Sequence, residues 1–258
     1  MSAQYDLAKY GSLEGKRVFV TGGGSGIGET IVASFAEQGA KVAFVDIAQE
    51  ASLALCEKVA AKGHEKPLFR HCDIRDIPAL QQVMRRFADE IGDFDVLVNN
   101  AANDERHKPE DVTVEYWNDR IAINQRPMFF TCQAVIDGMK KRGGGSIINV
   151  GSISWHISGG GYPVYTTAKA SVSGLTRGLA RDLGPHNIRV NTVTPGWVMT
   201  ERQLKLWVDE EAEKLIETSQ CLSGHLLPWH IARMVLFLAS DDSVMCTAQE
   251  FVVDAGWS

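Results

Sequence analysis

Short runs of β-branched and aromatic residues alternate, from one end of the chain to the other, with longer stretches whose apolar positions recur at helical spacing. The runs Arg17–Thr21, Lys41–Asp46, Pro67–Cys72, Asp95–Asn99, Ser146–Val150, Ile188–Val193 and Glu250–Val253 read as strands. Between them, Ile27–Gln38, Ala51–Ala61, Ile77–Ile91, Val112–Met139, Val164–Leu183 and Pro228–Ala239 read as helices. This alternation predicts an α/β fold, a parallel sheet with helices on both faces. Right-handed crossovers then bring the carboxyl ends of the strands to one edge, where such sheets bind ligands. Residues that directly follow strands are therefore the candidates for chemistry.

One stretch departs from the alternation. Residues 197–227 insert a polar, Glu-rich helix between the sixth strand and the last helix, and we read it as a cover over the site. No linker divides the chain, which predicts one domain over residues 1–258. Apolar runs fall well short of the roughly 20 residues that span a bilayer, and Met1–Tyr10 lacks a basic segment followed by an apolar one. The expectation is a cytoplasmic protein. With 26 basic and 32 acidic residues the formal charge is −6, which offers no general attraction to nucleic acid or an anionic membrane. Cys56, Cys72, Cys132, Cys221 and Cys246 lie far apart and read as reduced, packed thiols; no metal site is expected.

The loop Thr21–Gly28 follows the first strand and opens the first helix, with Gly22, Gly26 and Gly28 in G-x-x-x-G-x-G spacing around Ser25 and Ile27. Glycine lets the backbone turn sharply and approach a pyrophosphate, while the helix N-terminus offers free N–H groups. Asp46 ends the second strand 18 residues after Gly28, where an acid accepts hydrogen bonds from ribose hydroxyls and repels a 2′-phosphate. Neither Ser25 nor Ile47-Ala48 supplies the cation that a phosphate would want, so the expected cofactor is NAD.

Tyr165 and Lys169, four apart at the start of a helix, share one face, where an ammonium would favour a phenolate. Ser152, just past the fifth strand, could hydrogen-bond a reacting oxygen. Asn124 stands three residues before Pro127, whose missing N–H predicts a kink there.

Together the Thr21–Gly28 loop, Asp73, Asn99-Asn100-Ala101-Ala102, Asn124, Ser152, Tyr165 with Lys169, and Pro195-Gly196 resemble the short-chain dehydrogenase/reductase family over essentially the whole chain. The resemblance implies a single doubly wound, Rossmann-like domain with seven parallel strands, usually in homotetramers. It implies a catalytic tetrad of Asn124, Ser152, Tyr165 and Lys169, with Tyr165 the base. Cofactor contacts are implied at Asp73 and Ile74, at Asn100, Ala101 and Ala102, and around Pro195, Gly196, Val198 and Thr200. Ala102 departs from the family, which usually has glycine there, and its methyl would be expected to shift the nearby loop.

Within the family, Asn103–Lys108, Gly151–His156 and Asp254–Trp257 resemble the bacterial NAD-dependent pentose dehydrogenases. That implies oxidation of a free aldose at its anomeric carbon to a lactone. Other carbohydrate alcohols, namely another sugar, a polyol or a sugar acid, are the alternative, and an NAD-binding sensor is the non-enzymatic one. The candidate substrate residues are Asn103, Ser152, Trp155, His156, Tyr165 and Trp197, with Asp104, Arg106 and His107 in the same loops. Polar groups could pair with sugar hydroxyls and an indole could cover the C–H face of the ring.

Overall fold

A computed structural model describes residues 8–258, so residues 1–7 of the Met1–Tyr10 segment lie outside the described residues. The strands are β1 (Arg17–Thr21), β2 (Lys41–Asp46), β3 (Leu68–His71), β4 (Val96–Asn99), β5 (Gly145–Val150), β6 (Ile188–Pro195) and β7 (Glu250–Val253). All pair in parallel, in the order β3-β2-β1-β4-β5-β6-β7. Winding reverses between β1 and β4, and the crevice outside their carboxyl ends is where a doubly wound sheet binds its ligand.

Alternate residues of each central strand face opposite layers, so both faces must be apolar. Val18 and Val20 of β1 pack with helices α1 (Gly26–Glu37), α2 (Gln49–Ala61) and α9 (Pro228–Ala239) through Ile31, Phe35, Leu55, Ile231 and Val235. Phe19, between them, faces α3 (Ile77–Ile91), α5 (Arg126–Arg142) and α6 (Pro163–Leu183) through Leu80, Phe87, Met139 and Leu183. No helix among the described residues is long and apolar enough to cross a membrane.

The pattern-derived Val112–Met139 helix is two helices, α4 (Val114–Asn124) and α5, separated by Gln125 at φ −131° and ψ −59°. Pro127 falls in the first turn of α5, where its missing N–H costs no intrahelical bond, so the anticipated kink becomes a break. The expected single helix in 197–227 is likewise two, α7 (Glu201–Leu206) and α8 (Glu210–Ser219), capped by the Thr200 and Asp209 side chains. Cys56, Cys72 and Cys132 are buried as expected, whereas Cys221 is exposed.

A chain of buried polar side chains crosses the sheet just below its carboxyl edge. Thr131 of α5 donates to Asn99 (2.6 Å), Asn99 to Asn149 (2.9 Å) and Asn149 to Thr176 of α6 (3.0 Å). Each bond satisfies a buried group that would otherwise destabilise the fold, and the chain sets both helices in register with the strand ends.

Candidate active site

A cavity of ≈1740 Å³ opens along the carboxyl edge, walled by the β1–α1 loop, the ends of β2, β4, β5 and β6, and residues 197–215. At one end the glycine loop is set by contacts that exclude side chains. A Cβ on Gly28 would lie 1.8 Å from the carbonyl oxygen of Gly22, and one on Gly22 would lie 2.8 Å from the Cα of Ala101. Gly22 and Gly26 also have φ of +67° and +58°, a region that favours glycine. Asn100 braces the turn from β4, its amide donating to the Gly22 carbonyl at 2.8 Å. Its side chain is thus committed to the loop. Ala102 is not among the residues at positive φ, so its backbone conformation is open to a residue with a side chain.

Asp46 accepts from the Gly24 N–H and the Ala48 N–H, each at 2.8 Å, and so joins the glycine loop to the start of α2. Each oxygen keeps acceptor capacity for a hydroxyl. Asp73 is gripped by Arg75, whose guanidinium holds its carboxyl below the usual range; Arg75 in turn reaches Asp119. Ile74 lies beside it on the cavity wall, and Ile47 stands 67% exposed at the rim. Gly22, Ser25, Ala101, Pro195, Gly196, Val198 and Thr200 also line the cavity. The cradle, the acid and the apolar rim fit the pyrophosphate, ribose and adenine of a dinucleotide.

Farther along, Ser152, Tyr165 and Lys169 share the cavity wall, with Asn124 buried behind it. Burial pushes the Tyr165 phenol above its ordinary 10, Asp104 pushes the same way, and a hydrogen bond with Ser152 pulls it back. Burial also lowers Lys169 to about 8, while its ammonium donates to the Val150 carbonyl at 2.8 Å and lies 5.8 Å from the Tyr165 ring centre. Burial is thus the largest influence that the protein itself exerts on the Tyr165 phenol, and it opposes the phenolate that Lys169 was expected to favour. Asn124 clamps the loop after β4 at two points: it accepts from the Asn103 N–H at 2.8 Å and donates to the Asn103 carbonyl at 3.0 Å.

The loop side chains divide sharply. Asp104 accepts from Gln203 at 2.6 Å and from Arg202 at 3.3 Å, joining the loop to α7. Arg106 lies over three rings, 4.4 Å from Trp207, 5.6 Å from Trp197 and 5.9 Å from Tyr162. Trp197 also donates to Gln203 at 2.9 Å. Asn103, Asp104, Arg106 and Trp197 all line the cavity.

His107 does not line it. Its Nε2 accepts the Val164 N–H at 3.3 Å, which puts the ring proton on Nδ1, beside the Tyr116 hydroxyl and the Glu105 carbonyl. Trp155 and His156, expected at the substrate, are also absent from the cavity wall. His156 pairs with Glu250 at 3.1 Å and Trp155 packs edge-on against the His156 ring, 38% exposed. The turn at 153–155 carries them away and leaves Ser154 on the wall instead. Tyr162, Gln203, Trp207 and Ser154 are cavity residues that the sequence did not single out, although Ser154 lies in the Gly151–His156 segment and Gln203 and Trp207 in the expected cover.

The family model described as enoyl-(acyl carrier protein) reductase matches residues 22–258. D-xylose 1-dehydrogenase of Caulobacter vibrioides is 54% identical over 250 residues, 97% of this chain and 98% of its own. The probable galactose dehydrogenase GalD of Rhizobium meliloti is 47% identical, over 96% and 97% of the two chains. Among solved structures, a short-chain dehydrogenase/reductase from Serratia marcescens superposes with a TM-score of 0.88 at 34% identity, over 96% of this chain and 99% of that one.

Proposed function

Since this chain belongs to the short-chain dehydrogenase/reductase family, and is thus an oxidoreductase that works with a nicotinamide cofactor, we propose that it oxidises an aldose with NAD at the anomeric carbon. The product is the aldonolactone and the substrate a pentose such as D-xylose or L-arabinose. The observation that carries this reading is the 54% identity, end to end, with a D-xylose 1-dehydrogenase. A wall of Asn103, Asp104, Arg106 and Trp197 supports it, because donors, acceptors and an indole suit a polyhydroxylated ring. NAD rather than NADP is supported by Asp46, whose carboxylate would face a 2′-phosphate with like charge.

In this reading Gly22–Gly28 and the α1 N-terminus hold the pyrophosphate, and Asp46 holds the adenosine ribose. The bound nicotinamide supplies a positively charged ring that accepts a hydride. Ser152 and the Tyr165 hydroxyl hold the substrate oxygen, and Tyr165 takes its proton. The cofactor's positive charge and the Lys169 ammonium offset the burial that raises Tyr165. Lys169, fixed through Val150, carries the proton onward. Residues 197–227, tied to the 103–106 loop through Asp104, act as the cover that excludes water.

The test is to incubate the enzyme with NAD and a panel of pentoses, hexoses, polyols and sugar acids, then identify the first product by NMR. A lactone is expected. A ketose product, or turnover of polyols or sugar acids with no aldose oxidised, overturns the proposal.

A further inference from the structure

Ser154 occupies an unusual position in the cavity. The residue is 4% exposed and lines the wall, yet its Oγ is buried without a hydrogen-bond partner among the described residues. Burying a hydroxyl unpaired is unfavourable, and native interiors generally avoid it unless the group serves another purpose.

The surroundings of Ser154 indicate that purpose. Its backbone N–H donates to Ser152 Oγ at 3.2 Å, and its carbonyl accepts from the Gly159 N–H at 3.0 Å. Both ends of the residue are thereby fixed, and the first bond runs directly to the side chain proposed to hold the reacting oxygen. Only the side-chain torsion is left free, and turning it breaks no hydrogen bond. With its backbone fixed on the cavity wall and its hydroxyl free to turn, Ser154 can offer that hydroxyl to a polar atom that arrives with the substrate, beside the oxygen that Ser152 holds.

We propose that Ser154 is a specificity-determining residue that hydrogen-bonds a ring hydroxyl of the sugar near its reacting carbon. The proposal rests on the aldose reading above. Ser154 selects for a hydroxyl at that place and against a sugar that lacks it, because the analogue leaves a buried polar group unpaired. Ser152 holds the oxygen that reacts, whereas Ser154 reads one that does not.

The experiment compares the unmodified enzyme with Ser154→Ala on D-xylose and its 2-deoxy, 3-deoxy and 4-deoxy analogues, with NAD saturating. Ser154→Ala is expected to lower kcat/KM for D-xylose by about tenfold, the usual scale for one hydrogen bond. For one deoxy analogue the two enzymes should agree within about twofold, since the bond is absent from both. The thermal midpoint should hold or rise, because the hydroxyl lost has no partner in the free protein. An equal loss on all four sugars, no loss on D-xylose, or a lowered midpoint overturns the role of Ser154 while leaving the aldose reading intact. If the unmodified enzyme oxidises no aldose, that reading fails and this inference falls with it.

Discussion

Lys169 is a full positive charge, 1% exposed, and the protein's stability should carry its signature. Burial lowers its pKa from 10.5 to about 8. At 1.36 kcal/mol for each pH unit, that difference amounts to about 3 kcal/mol by which the folded state disfavours the ammonium. Between about pH 8 and 10.5 the unfolded chain holds a proton on Lys169 that the folded chain has released. Stability therefore rises with pH across this window, by no more than about 1.36 kcal/mol per unit. Below it both states are charged and the penalty is constant; above it both are neutral and the penalty has gone. Replacing Lys169 by Met removes the effect but leaves the Val150 carbonyl unpaired, a pH-independent cost of about 1–3 kcal/mol. The slope is accordingly the quantity to measure. Urea unfolding of both proteins at intervals from pH 7 to pH 10 should show the original gaining on Lys169→Met with pH, while the variant loses turnover throughout. A constant difference, or one that shrinks with pH, would refute the assignment of a buried ammonium.

Asp46→Ala should narrow the preference for NAD over NADP, read as the ratio of the two kcat/KM values, and should weaken binding of both because Gly24 and Ala48 lose their shared acceptor. Equal use of both cofactors by the unmodified enzyme would sink the argument from charge. Tyr165→Phe keeps the ring and removes the proton acceptor, so turnover should fall by about 10²–10⁴-fold with little change in the unfolding midpoint. A variant that keeps most of its rate would rule out Tyr165 as the base.

The sheet was legible because burial on both faces writes itself into the sequence: Val18, Phe19 and Val20 are all apolar although they face opposite layers. The glycine loop was legible for a similar reason, since a Cβ on Gly28 meets the Gly22 carbonyl and no other residue type fits. Pro127 announced a disturbance, but local sequence did not show the break at Gln125 or that Asn124 beside it would clamp Asn103, a contact 21 positions away. Side-chain direction in loops was the least legible. His107 and His156 are polar residues just past strands, as a sugar site would want, yet Val164 and Glu250 claim them. Ser154 could not be singled out, because its missing partner is a property of the packed turn.

The segment from Asn103 to His107 has no slack. Asn124 holds it at one end, α7 and three aromatic rings grip its middle, and the start of α6 closes on its last residue. Adding or deleting a single residue within it would put the attachments on one side of the change out of phase with those on the other. Substrate preference carried on such a segment can be inherited or exchanged only as a block of fixed length together with its facing partners, so descendants that acquire a new sugar should differ here by concerted replacement and seldom by insertion.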